Sequence, residues 1–162
     1  MHIPIFAKET EEIVKKNNFK SICDCTFGTG GHTKIFLQYC NNVTAFDRDI
    51  NVRKYTENLG NLNFINDKFS NISNYIEQCD LIFADLGMST LQLESDRGFA
   101  YLKNTELDMR MSEDYSQLKL KNILNKMPMY KIKEIIKNYG EEKHATKIAS
   151  NIEKYRFIDK CT

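Results

Sequence analysis

No stretch of the chain approaches the ~20 consecutive apolar residues that a membrane helix needs, so a spanning segment of that kind is not expected. The five cysteines, at positions 23, 25, 40, 79 and 161, contain no Cys-x-x-Cys pair, and a zinc site would lack its second pair of ligands. An odd number of thiols, with no signal-peptide pattern ahead of them, favours reduced cysteines in a cytosol. The N-terminus is not rich in Arg or Ser and holds two Glu by residue 11, which argues against a transit peptide. Internal repeats and low-complexity segments are missing as well. A net charge of +1 leaves no obvious polyanion binder.

What remains is the profile of a globular chain. Its 162 residues suit one domain with a real core, and 41% hydrophobic content is too high for a disordered one. The charge is unevenly spread. Residues 1–112 carry twelve Lys or Arg against fifteen Asp or Glu, and residues 113–162 carry eleven against seven. Such a step fits a region that meets nucleic acid, and it equally fits a solvated helical surface.

The first two-thirds alternates short apolar runs with helix-period segments. Residues 7–17 are predicted helical, with Ile13 and Val14 facing inward. Strands are predicted over Ser21–Phe27, Val43–Asp47, Leu62–Ile65 and Leu81–Asp85. Helices are expected over His32–Tyr39 and Asn51–Leu59, and Ile72, Tyr75 and Ile76 fall at helical spacing. Cys23 and Cys25 alternate within a strand and point to one face as small core residues. Four strands separated by helix-length segments predict a parallel sheet with right-handed crossovers. Residues 86–113 lose this periodicity and resemble a long functional loop. From Ser116 the pattern is helical only. Pro128 breaks or starts a helix whose apolar face is Ile132, Ile135 and Ile136, and Gly140 is the expected stop. Glu141 and Glu142 open the next helix, with the stripe Ala145, Ile148, Ala149 and Ile152. Lys143, Lys147 and Lys154 lie opposite that stripe, where they could meet RNA phosphates or simply water.

The strongest local signal is Asp24-Cys25-Thr26-Phe27-Gly28-Thr29-Gly30-Gly31-His32, at a strand-to-helix junction. Glycines permit positive φ and close approach of a ligand, and the helix behind presents free N–H groups. Asp47 follows Gly28 by nineteen residues, at the end of the next strand, a position suited to accepting both hydroxyls of an adenosine ribose. A dinucleotide fingerprint would need a third glycine at Thr33, which speaks against an NAD domain. Asp24, Asp47 and Asp85 each end a strand and should gather on one rim of the sheet. Strand interiors disfavour Asp, although each could merely cap its turn. His32 could touch a ligand or be an ordinary polar residue. Phe69 could stack on a base or belong to the core. The arrangement suits methyl transfer from an activated sulfonium, where alignment of the acceptor is the main task. Asp85 could accept from an exocyclic amine or bind the cofactor.

The ordered blocks His2-Ile3-Pro4, Asp24 to His32, Asp47-Arg48-Asp49, Asp85 to Leu93, Arg97 to Tyr101, Leu107 to Met111 and Tyr139 to Glu142 resemble the bacterial 16S ribosomal RNA cytosine-N4 methyltransferase family. The Arg97-Gly98-Phe99 and Leu107-Asp108-Met109-Arg110-Met111 blocks are unusual among methyltransferases. The resemblance implies a Rossmann-like class I methyltransferase fold: an α/β parallel sheet, incomplete at about four strands, with an inserted helical subdomain. It implies a cofactor-binding part over residues 1–112 and the start of a substrate-recognition insertion over 113–162. It implies S-adenosyl-L-methionine as cofactor, held by Gly30, Gly31, His32, Asp47, Phe69, Asp85 and Gln92, with Asp85 also the candidate catalytic residue. Small-subunit ribosomal RNA or the assembling 30S particle is the implied partner, and the cytoplasm the implied location. Neither metal nor membrane is expected. Leu91 replaces a usual proline, Thr29 sits where arginine is common, and Thr90 stands where a second serine is usual. Family members are about twice as long and complete a seven-stranded sheet, so the chain is expected to be C-terminally truncated. Alone it is expected to bind cofactor weakly and methylate poorly. The rival expectation is a nonenzymatic module that holds an adenosine ligand or RNA.

Overall fold

The computed structural model describes residues 4–112 and 117–156. His2, Ile3, Ser116 and Cys161 lie outside the described residues. The chain divides into two compact units, Met1–Ser89 and Thr90–Thr162.

The first unit carries α1 (Ala7–Asn17), β1 (Ile22–Asp24), α2 (Gly31–Tyr39), β2 (Val43–Phe46), β3 (Leu62–Ile65) and β4 (Leu81–Phe83). All strand pairs are parallel, in the order β3-β2-β1-β4. Parallel neighbours require a crossover connection. Between β1 and β2 that connection is α2. After β2 and β3 the chain makes only 3₁₀ turns, at Ile50–Thr56 and Phe69–Asn74. The first of these replaces the helix expected over Asn51–Leu59. Asp49 accepts the Asn51 N–H at its start, and only Val52 within it is buried, so a longer amphipathic helix has no apolar stripe to bury. The order of the strands reverses at β1: the chain moves outward to β2 and β3, then returns to β1's other flank with β4. In open α/β sheets a ligand crevice forms at such a reversal, beyond the carboxyl ends of the strands.

Side chains alternate across the sheet. Ile22 and Val43 face α1 and α2, where Val14, Phe36 and Cys40 complete one buried cluster. Cys23, Cys25 and Phe46 fill the opposite face, partly covered by Ile65, Ile72, Ile76 and Cys79. The two cysteines therefore share a face, as their spacing requires, and burial raises both thiols above their usual range. That second face is thinly covered at the edge. Ile82, level with Cys23, is 60% exposed. In α1, Val14 is buried but Ile13 is 52% exposed, contrary to the expectation for Ile13. The buried line of this helix runs through Thr10 and Val14, four residues apart, and Ile13 sits about 100° away from it. β1, β2 and β4 are shorter than expected at their ends. β1 stops at Asp24, yet Cys25 still donates to the Phe83 carbonyl (2.8 Å) and Phe27 to the Phe46 carbonyl (2.9 Å) as the chain leaves the sheet.

The second unit is helical: α3 (Thr90–Glu94), α4 (Leu120–Lys126), α5 (Met129–Gly140) and α6 (Ala145–Lys154). Pro128 stands at the start of α5, where its missing N–H costs nothing. Ile132 is buried while Ile135 is 41% exposed, so the apolar face of α5 is narrower than three isoleucines. On α6, Ala145 and Ala149 are buried and Ile148 is 37% exposed. Gly140 is the last residue of α5, and the left-handed position that ends it belongs to Glu141 (φ 50°). The carboxylate of Glu142 accepts the His144 N–H at 2.6 Å, just ahead of α6. Arg156 donates to the carbonyls of Asn125 (3.0 Å) and Met127 (2.8 Å), tying the end of α6 to the end of α4.

The two unusual motif blocks pack against each other inside this unit. Met109 N–H donates to the Arg97 carbonyl at 2.7 Å. Arg110 grips Asp108 with Nε (2.6 Å) and Nη2 (2.8 Å), and its hydrogen bonds hold the Asp108 carboxyl below the usual carboxylate range. Gly98 (φ 82°) passes so close that a Cβ there would lie 2.6 Å from the Glu106 carbonyl oxygen, so only glycine fits.

Candidate functional site

Parallel strands bring their carboxyl ends to one rim, and the chain places acids there. Asp24 is the last residue of β1, Asp47 follows β2 directly, and Asp85 lies two residues past β4. Asp67 stands in the same relation to β3, a fourth acid with no glycine turn or motif beside it to mark it. Its carboxylate accepts from the Lys68 N–H, Asn71 Nδ2 and Tyr75 Oη, and the Asn71 bond leads in holding it below the usual range. Alignment of these acids follows from a common strand direction and not from any local motif.

The glycine turn after β1 is the hub. Gly28 N–H donates to Asp47 Oδ2 at 2.8 Å, so the turn and the acid nineteen residues on are in direct contact. Asp47 Oδ1 accepts the Asp49 N–H at 2.9 Å. Each oxygen has a second lone pair, so both can still accept a hydroxyl. Burial raises the Asp47 carboxyl above its ordinary value, and the bonds from Asp49 and Gly28 pull it partly back. On the other side of the turn, Thr26 Oγ1 accepts the Asp85 N–H at 2.8 Å. Asp47 and Asp85 are thus each hydrogen-bonded to the turn that carries Gly30, Asp47 through Gly28 and Asp85 through Thr26.

Asp24 plays a different part from the other acids. It is fully buried, with Oδ2 accepting from Thr33 Oγ1 (2.6 Å) and Oδ1 from the Thr26 N–H (3.0 Å). Burial raises its carboxyl. It anchors the turn to α2 and shows nothing to a ligand, which corrects its placement among the rim acids facing a site.

The three glycines differ in what surrounds them. At Gly30 (φ 77°) a Cβ would meet the Phe27 ring at 3.0 Å, and at Gly31 it would meet Pro4 at 3.2 Å. At Gly28 (φ 54°) a Cβ would meet nothing within 4 Å. Gly28 thus leaves open space beside a carboxylate with spare lone pairs. Rim acids also suit a ligand that carries a positive sulfonium. The residues present thus fit S-adenosyl-L-methionine.

His32 lies in the first turn of α2 but its ring is turned inward. Nε2 sits 2.9 Å from the Ile5 carbonyl oxygen, and the ring packs 4.6 Å from Phe83. It is a buried residue, not a surface one, and what it leaves open is its main-chain N–H at the helix start. Phe69 begins the 3₁₀ turn after β3 and is 46% exposed at the rim, not part of the core. Gln92 belongs to the second unit, on α3, buried, with Nε2 3.5 Å from the Met111 carbonyl.

A parallel sheet that reverses at β1, with a glycine turn clasped to the acid after β2, defines a Rossmann-like domain of the kind that binds an adenosine-bearing ligand. Sequence comparison narrows the class. All of residues 1–162 match the MraW methylase family, and the chain belongs to that family. It is 35% identical over 162 residues to the ribosomal RNA small subunit methyltransferase H of Orientia tsutsugamushi (strain Boryong), covering 94% of this chain and 51% of that protein. Against the same-named protein of Rickettsia canadensis (strain McKiel) it is 37% identical over 164 residues, covering 96% and 53%. The chain thus spans about half the length of the curated relatives it matches. A crystal structure of an rRNA methylase from Streptococcus thermophilus superposes with a TM-score of 0.40 at 20% identity, over 48% of each chain, too loosely to bear on fold or function. Among the described residues no helix is long and apolar enough to cross a membrane, and no group of three or more His, Cys, Asp or Glu could hold a metal ion.

Proposed function

We propose that this chain carries the S-adenosyl-L-methionine-binding part of a methyltransferase acting on N4 of a cytidine in small-subunit ribosomal RNA. The observation that carries the proposal is the clasp of Gly28 to Asp47 on one flank of the turn and of Thr26 to Asp85 on the other. In this reading Asp47 takes the ribose hydroxyls, and the main-chain groups of Gly30, Gly31 and His32 border the methionine side. The exposed Phe69 stacks on adenine. Gln92 is assigned a cofactor contact by family resemblance alone. Residues 1–112 form the cofactor part, and 113–162 begin the substrate-recognition insertion, where the lysines of α6 would meet RNA phosphates. The cytoplasm is the matching compartment.

The cofactor supplies a methyl group already activated on a sulfonium. An exocyclic cytosine amine is a poor nucleophile because its lone pair is delocalised into the ring. Asp85, exposed at the rim, would accept a hydrogen bond from that amine, draw it toward pyramidal geometry and take up the proton it sheds. The alternative use of Asp85 is to hold the cofactor itself.

Calorimetric titration of the purified chain with S-adenosyl-L-methionine and with NAD tests the cofactor, and a labelled-methyl assay on undermodified small subunits tests the substrate. Binding of the sulfonium nucleoside and not of NAD, with label entering cytidine, supports the proposal. Preference for NAD would sink it, and cofactor binding with no label entering RNA, even at the slow rate expected of the chain alone, would favour a nonenzymatic module.

A further inference from the structure

We infer that Thr26 is a positioning residue: its hydroxyl oxygen fixes where the Asp85 loop stands relative to the glycine turn. The inference rests on the proposed cofactor site and deepens it.

β4 ends at Phe83, and the last ladder-like bond on this flank is Cys25 N–H to the Phe83 carbonyl. Asp85 lies beyond that ladder and is exposed, so strand pairing does not set its position. Among the described residues its main-chain N–H has one acceptor, Thr26 Oγ1 at 2.8 Å, across 59 residues of sequence. Thr26 is itself held. Its own N–H donates to Asp24 Oδ1, and Asp24 is fixed from the far side by Thr33 of α2. A relay thus runs from α2 through a fully buried carboxylate to Thr26 and out to Asp85. β-Branching makes the Thr26 side chain stiff at χ1, so the oxygen has a defined place. The same turn, two residues on, holds Asp47 through Gly28. Thr26 therefore sets the separation between the group proposed for the ribose and the group proposed for the amine, across the point where the sheet reverses.

The test compares Thr26→Ser, which keeps the oxygen, with Thr26→Val, which keeps the shape. Hydrogen exchange at the Asp85 amide, followed by NMR in the ligand-free chain, gives a readout that does not depend on the cofactor. Calorimetry with S-adenosylhomocysteine gives the second readout. In Thr26→Val the Asp85 amide should exchange about tenfold faster while α2 amides keep their protection, and affinity should fall by about tenfold, the scale of one lost hydrogen bond. Thr26→Ser should restore both. Unchanged Asp85 exchange in Thr26→Val, or a serine variant as impaired as the valine one, overturns the inference. If Thr26→Val does not fold, Thr26→Ala takes its place with the same expectations. Should the unmutated chain fail to bind S-adenosylhomocysteine, the cofactor proposal fails, and the exchange data alone then decide the role of Thr26.

Discussion

Gly28 and Gly60 form a matched pair for locating the ligand. Both have left-handed backbones (φ 54° and 58°), and a Cβ on either would meet nothing within 4 Å. Gly60 precedes β3 and so lies at the opposite rim from Gly28, which follows β1. Alanine at either position takes on the left-handed penalty of about 1–2 kcal/mol, offset by roughly 0.4–1 kcal/mol from the reduced freedom of the unfolded chain. Both variants should therefore lose about 1 kcal/mol of stability, or about 2–4 °C in melting temperature for a chain of this size. Their ligand affinity should diverge. With a nucleoside seated against Gly28, the added methyl enters occupied space, and overpacking of that kind costs about 1–3 kcal/mol. That corresponds to a loss of about 5- to 150-fold in Kd for Gly28→Ala and none for Gly60→Ala. Thermal melts and calorimetry with S-adenosylhomocysteine measure the two effects separately. Equal affinity in the two variants, at equal loss of stability, would refute the placement of the ligand at the glycine turn.

Replacing Asp47 by Asn leaves one carbonyl oxygen where two backbone N–H groups and two hydroxyls compete, and affinity should fall by about 10- to 100-fold, the scale of hydrogen bonds to a charged group. Because burial raises the Asp47 carboxyl, protonation should weaken ligand binding in the unmutated chain as pH falls through a value above the ordinary ~3.9, a limb that a pH series of titrations would show and Asp47→Asn would lack. Phe36→Ala empties a fully buried site that packs on Phe83 (ring centroids 5.2 Å apart), and urea unfolding should show a loss of about 3–5 kcal/mol; a loss below about 1 kcal/mol would contradict the packing described. The Asp108 carboxyl is depressed by Arg110, so its stabilising contribution is complete above the unfolded value and is lost as pH falls through the folded one. Unfolding measured between about pH 2.5 and 5 should therefore lose part of its acid limb in Asp108→Asn.

The sheet was legible because its signals are local. β3 occupies the expected residues, since an apolar run bounded by turn residues leaves few alternatives, and α1 spans the expected 7–17. The rim was legible for a topological reason: parallel strands that each end in an acid must gather those acids on one side. Shape alone did not reveal what each acid does. Asp24 and Asp47 look alike in sequence, yet one is fully buried and structural while the other keeps lone pairs free, a difference made by Thr33 and by the path of the turn. Thr26 lies inside the glycine-turn motif, but no local pattern marks its role because its partner lies 59 residues away. A threonine two residues past a strand-ending acid was the available clue. Ile13 and Ile135 are exposed although both are expected to face inward, because helical spacing defines a stripe but not its width.

The exposed isoleucine on β4 has a practical corollary. A β-layer covered at its centre and bare at its edge strand offers an apolar margin to air–water boundaries, plastic walls and other copies of the chain. How long a solution stays monodisperse then depends on concentration and salt as much as on folding free energy. A lysine in place of Ile82 would be the first change to make when preparing such material.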